Sequence, residues 1–128
     1  MAICLIDTSV FVEILNVPGK ASQHEKYVSE VAKRADRGES LLLPLATIIE
    51  TGNHIAQNGN GNERRKVAQI FVEQIQLALK GKSPFTPLDF FEPDDLASWI
   101  TDFPSFATQE IGLGDLSIIK DFEKQREI

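Results

Sequence analysis

A lone cysteine excludes an internal disulfide. Cys4 sits inside the opening apolar run, which suits a buried thiol in a reducing, cytoplasmic setting. Long apolar runs are missing as well. No stretch approaches the roughly 20 residues that span a bilayer, so no membrane partner is expected. The first residues lack the basic region and small-residue cleavage site of a signal peptide, and Asp7 interrupts the only candidate apolar core of one. No internal repeat, low-complexity tract or linker divides the chain, and its 128 residues fit one domain with a real core. A basic excess is absent too. The formal net charge of -6 disfavours broad, nonspecific binding to nucleic acid. It leaves room for a nuclease, because carboxylates loaded with divalent cations present positive charge to a phosphate. No H-x-x-x-H pair or cysteine cluster supports zinc, and no G-x-S-x-G elbow or catalytic cysteine supplies a nucleophile.

The chain alternates apolar runs with amphipathic segments. Ala2 to Ile6 reads as a strand buried on both faces, and a helix is predicted from about Ser9 to Asn16, ended by Pro18-Gly19. Tyr27, Val28, Val31 and Ala35 fall at helical spacing within Ser22 to Arg37, and Ser22 with Glu25 has capping-box spacing. Leu41 to Leu43 is a second strand, closed by Pro44. Thr47 and Glu50 repeat the capping-box spacing ahead of a helix that stops at Asn58-Gly59. Asn62 to Lys80 is the longest predicted helix. The stretch SPFTPLDFFEP supports only a weak third strand or an irregular connection. Pro93 suits the first turn of a helix to about Ile100, Pro104 is expected to interrupt the next region, and a last helix opens after GLGD. This alternation predicts α/β layers around a mostly parallel sheet.

Three acids stand at helix starts beside strand ends or loops: Asp7, Glu50 and Asp115. Each has an ordinary reading, an N-cap for Asp7 and Asp115 and a capping-box glutamate for Glu50. In a parallel sheet, however, ligands bind beyond the carboxyl ends of the strands, which is where Asp7 lies. Thr8 or Ser9 could cap in its place. Glu50, Asn53, His54 and Gln57 share one polar helix face, on which His54 reads as a surface or supporting residue. Oxygen-only ligands favour Mg²⁺ or Mn²⁺, and that chemistry serves phosphodiester hydrolysis without a protein nucleophile.

The segments ICLIDTSVFVEIL, LLLPLATIIETGNHI and IGLGDLSII together resemble, in order and spacing, the PIN domain, and most closely the VapC-like toxin ribonucleases. The resemblance spans nearly the whole chain. It implies a three-layer α/β/α sandwich in which Asp7, Glu50 and Asp115 are the catalytic, metal-holding acids, supported by Thr8, Ser9 and Asn53. It implies an Mg²⁺- or Mn²⁺-dependent endoribonuclease, the toxin half of a type II toxin–antitoxin pair, with RNA, an antitoxin and a second copy of itself as partners. Arg64, Arg65 and Lys66 form the densest basic cluster and are candidate RNA contacts. The departure from the family lies at the C-terminus. Its last helix usually leads to another strand and an acidic turn, so a sheet short of that strand, with an open edge, is expected here. Asp121 and Glu123 are poor replacements for the missing acid. A catalytically degenerate binding or assembly module and a metal-dependent DNA nuclease are the alternatives.

Overall fold

The computed structural model describes residues 2–89 and 91–126. Among them, three strands and six helices run in the order β1 (Ile3–Leu5), α1 (Thr8–Ile14), α2 (His24–Asp36), β2 (Ser40–Leu43), α3 (Leu45–Gln57), α4 (Gly61–Leu79), β3 (Phe85–Pro87), α5 (Pro93–Ala107) and α6 (Leu113–Arg126). The strands form one parallel sheet in the order β1-β2-β3. Cys4 lies opposite Leu41 and Leu42 opposite Thr86. The fold is therefore α/β around a parallel sheet. The weakly predicted third strand is β3, an edge strand, where the missing N–H of Pro87 is tolerated. Just past it, the Leu88 N–H donates to the Leu43 carbonyl at 3.0 Å. Phe90, in the expected extended stretch, and the last two residues fall outside the described residues. No helix among the described residues is long and apolar enough to cross a membrane.

Strand alternation explains how the sheet is covered. Leu41 and Leu43 join Ile6, Phe11, Val12, Leu15, Val17 and Phe85 in the main core. Phe11 is its centre, fully buried and edge-on to Phe85 and Phe71 at ring separations of 5.6 and 6.4 Å. Leu42 points the other way, and it is buried too. Its face shares a cavity with Trp99 of α5 and with Asp121 and Lys124 of α6. Both faces of β2 are thus covered by helices, as an α/β sandwich requires.

Two predicted caps are not used as such. The helix at 45–57 begins after Pro44, two residues before Thr47, so Thr47 and Glu50 lie inside its first two turns. Ser22 does not cap α2, which begins after Gln23 with no capping side chain of its own. The cap comes from α1 instead. Glu13, only 7% exposed, accepts the N–H groups of Ser22 and Gln23 at 3.0 and 2.8 Å on one oxygen, and the Ser22 N–H also approaches the other at 3.1 Å. A carboxylate here meets the free N–H groups and the positive end of α2, which stabilise negative charge. Pro104 is also reconciled. It lies within α5, which continues to Ala107. Pro104 and Ile100 are both exposed, so the Ile100 carbonyl that loses its helical donor is within reach of water.

The N–H groups of Gln23 and Ser22 hold the Glu13 carboxyl below its ordinary value. A depressed folded value means that this contribution to stability is present above the unfolded carboxyl's pKa and is lost as pH falls through the folded one. Glu13→Gln is therefore expected to lower the melting temperature at pH 7, with the gap to wild type closing as pH is taken below 4.5. Thermal melts of both proteins from about pH 7 to about pH 3 read this directly; a gap independent of pH would remove the charge from the explanation.

Candidate functional site

The end of β1 is stitched to α3 by two side chains. The Thr47 hydroxyl, completely buried, donates to the Ile6 carbonyl at 2.8 Å. Two residues further along, the Thr8 hydroxyl donates to Glu50 Oε2 at 2.8 Å. Thr47 and Glu50 are three residues apart, hence on one face of α3. The chain leaving β1 thus runs along that face. Between the two contacts stands Asp7. It caps α1 through Oδ1, which accepts the Val10 N–H at 3.0 Å and the Ser9 hydroxyl at 2.7 Å. Capping therefore occupies one oxygen of an exposed carboxylate and leaves Oδ2 without a hydrogen bond among the described residues. The two readings of Asp7 are compatible.

The other oxygen of Glu50 faces the start of α6. A Cβ added at Gly114 would overlap Glu50 Oε1 and lie 3.0 Å from Cδ. Only a glycine lets the helix come this close without displacing the carboxylate. The first-turn N–H groups of α6, which lack helical partners, favour negative charge at that end. Asp115 comes directly after Gly114 and is exposed. Thr8, Ser9, Glu13, Glu50, His54 and Asp115 line one cavity of ≈ 450 Å³, with Lys20 and Tyr27 on its wall as well. Elements far apart in the chain, the starts of α1 and α6 and the second turn of α3, so converge on a polar hollow beyond the carboxyl end of β1.

The remaining candidates lie elsewhere. Asn53 is exposed and does not line this cavity. Arg64 is turned back on its own helix start, its Nη1 donating to the Gly59 carbonyl at 2.6 Å, and Arg65 and Lys66 line two other hollows. Asp121 belongs to the cavity beside Leu42, where burial pushes its carboxyl up, and Glu123 lies 3.8 Å from the Lys120 ammonium. Cys4 is half-buried, and burial raises its thiol, the reverse of what a nucleophilic cysteine needs. Sequence reasoning did not single out Lys20, Tyr27 or Glu13. Lys20 comes after a Pro-Gly turn that reads only as a helix stop, Tyr27 occupies an apolar helical position, and no local pattern marks Glu13.

Among the described residues, no group of three His, Cys, Asp or Glu side chains is gathered closely enough to be a ready-made metal site. Glu50 and Asp115 nevertheless offer hard oxygen donors to one cavity, while Asp7, next to Thr8 in the chain, is not among its lining residues. Mg²⁺ asks for little more, since it keeps several waters and is usually held by one or two carboxylates. The donor set fits in kind. The chain matches no family model, no curated protein and no solved structure.

The close approach of Gly114 to Glu50 has a measurable signature. Gly114→Ala, at the second residue of α6, gains at most about 1 kcal/mol of helix propensity, the helix-interior figure, where nothing opposes it. In wild type the added methyl meets Glu50, so the gain should be reduced or reversed; in a Glu50→Ala background it should appear in full. Urea unfolding of the four proteins of this cycle is expected to give a coupling of roughly 0.5 kcal/mol or more. Additive effects would mean that the two groups do not touch.

Proposed function

We propose that this chain is a metal-dependent endoribonuclease of the PIN-domain type, resembling the VapC-like toxins. The observation that carries the proposal is the convergence of Thr8, Glu50 and Asp115 on one cavity beside Asp7, beyond the end of β1. Glu50 and Asp115 are two of the three acids that the resemblance assigns to metal binding, and Asp7, the third, directly precedes Thr8. Asp7, Glu50 and Asp115 would hold Mg²⁺ or Mn²⁺, which when bound supplies an activated water and offsets charge developing on the phosphodiester. The chain's own residues prepare that site. The Thr8 hydroxyl fixes the rotamer of Glu50, Gly114 leaves room for its second oxygen, and Ser9 steadies Asp7 through the oxygen used for capping. Expected partners are RNA, an antitoxin and a second copy of the chain.

An apolar groove supports the antitoxin. Ile49, Phe91, Leu96, Trp99 and Leu113 line a cavity of ≈ 230 Å³ that reaches Glu50, and Ile49 is 54% exposed. A peptide that buries apolar side chains there can bring an arginine to the carboxylates, where its guanidinium makes bidentate contacts and competes with the cation. A binding or assembly module is the second reading, favoured by the lack of a three-acid group among the described residues; a DNA nuclease would use the same acids.

Asp7→Asn, Glu50→Gln and Asp115→Asn each keep the side chain's shape and remove one charge. Each is expected to lower Mg²⁺- or Mn²⁺-dependent cleavage of single-stranded RNA by about 100-fold or more while the melting temperature stays near that of wild type. Full activity of Asp7→Asn would sink the nuclease reading, and preference for a DNA substrate would move the assignment to the alternative. Light scattering on the purified chain is expected to give at least a dimer, and a monomer at all concentrations would remove the second copy from the list of partners.

A further inference from the structure

The cavity holding Glu50 and Asp115 has a second wall that the acids do not explain. Lys20 sits on a turn fixed from both sides. The buried Val17 offers its carbonyl to the N–H groups of Lys20 and Ala21 at 3.1 and 2.9 Å, and Gly19 adopts the left-handed φ of +76° that the turn requires. The Lys20 side chain lines the cavity, yet its ammonium makes no ion pair among the described residues, although three carboxylates line the same hollow. Several cations elsewhere are committed. Arg34 and Arg37 pair with Glu30 and Glu39, Lys120 with Asp102, and Lys124 with Asp95. One more polar group here is uncommitted: the hydroxyl of Tyr27, which also lines the cavity, makes no hydrogen bond among the described residues. One hollow is therefore lined by the carboxylates of Glu13, Glu50 and Asp115 together with Lys20 and Tyr27.

We infer that Lys20, assisted by Tyr27, receives the phosphate of the RNA substrate, and that the Arg64–Arg65 cluster does not. The inference rests on the nuclease reading above and names the substrate-binding wall of that same site. A phosphodiester offers non-bridging oxygens that only accept hydrogen bonds, which matches an ammonium and a hydroxyl. Lysine serves phosphate as a compact point charge on a long stem, so it can track the substrate from an exposed turn. The basic cluster at 64–66 is denser, but none of its three side chains lines the acid cavity.

The test compares Lys20→Ala, Lys20→Arg and Arg64→Ala/Arg65→Ala with wild type. Cleavage of a short single-stranded RNA, about 12 nucleotides long, in Mg²⁺ or Mn²⁺ gives KM and kcat, and anisotropy of the fluorescein-labelled RNA on an Asp7→Asn background gives affinity against salt. Lys20→Ala is expected to raise KM about tenfold with kcat nearly kept, weaken binding about as much, and flatten the salt slope by about 0.7, the share of one single-strand phosphate contact. Lys20→Arg should restore most of the loss, and the double arginine variant should behave as wild type. If wild type cleaves RNA and Lys20→Ala leaves KM, affinity and slope unchanged, this inference is overturned and the nuclease reading stands. If wild type neither cleaves nor binds RNA, the nuclease reading falls, and this inference with it.

Discussion

Everything around the candidate site depends on how the chain leaves β1. A strand end in a parallel sheet exposes a carbonyl that the ladder no longer serves, and a buried carbonyl without a donor costs about 1–3 kcal/mol. Here the Thr47 hydroxyl answers it, and the same helix face then offers Glu50 to Thr8. The first contact is structural and fully buried, while the second lies at the rim of the cavity. Because both come from one face of one helix, the satisfaction of a backbone group and the placement of a carboxylate are a single geometric event. The start of α1 cannot shift without disturbing both.

The chain's carboxylates divide by what their surroundings allow. Glu13 is held by N–H groups at the start of α2, so it shapes the cavity wall and has little capacity left for a ligand. Asp7 has one committed oxygen. Glu50 has one oxygen on Thr8 and the other against α6, and Asp115 is exposed at the cavity mouth. Hydrogen bonding thus grades them from structural to available. Net negative charge obeys the same logic: acids that face a cavity make it unfit for a polyanion unless cations, bound or built in, stand beside them.

Much of this is legible in the sequence, and the failures have a common cause. The two strong strands, the long α4 and the places of Asp7 and Asp115 at helix starts come from periodicity and local punctuation, whereas Glu50 lies in the second turn of α3. Phe85–Pro87 is only weakly marked because three residues with a proline carry little pattern. Both T/S-x-x-E spacings mislead in the same way. Ser22 faces Glu13 from a different helix, and Thr47 faces a carbonyl of β1, so in each case a partner distant in sequence claims the residue that local capping would have used. Pro104 misleads because tolerance of proline in a helix depends on whether the freed carbonyl meets water, which periodicity does not reveal. The basic run at 64–66 stands out by density, whereas Lys20, alone in a turn, shares the cavity with the acids.

Gly114 shows how stability is set against the site. A glycine inside a helix gives up about 1 kcal/mol relative to alanine, and its position in the first turn of α6 needs no unusual backbone angle. By propensity alone alanine would be better there. What stands against it is Glu50, whose carboxylate occupies the space that a side chain would fill. Gly52, on the same helix as Glu50, has nothing nearer to its missing Cβ than the Phe71 ring at 3.9 Å, an ordinary packing contact. Two glycines in helices therefore carry different meanings: one is compatible with a larger residue, the other defines how closely α6 approaches a charged group. Asp115, directly after this glycine, lines the same cavity as Glu50.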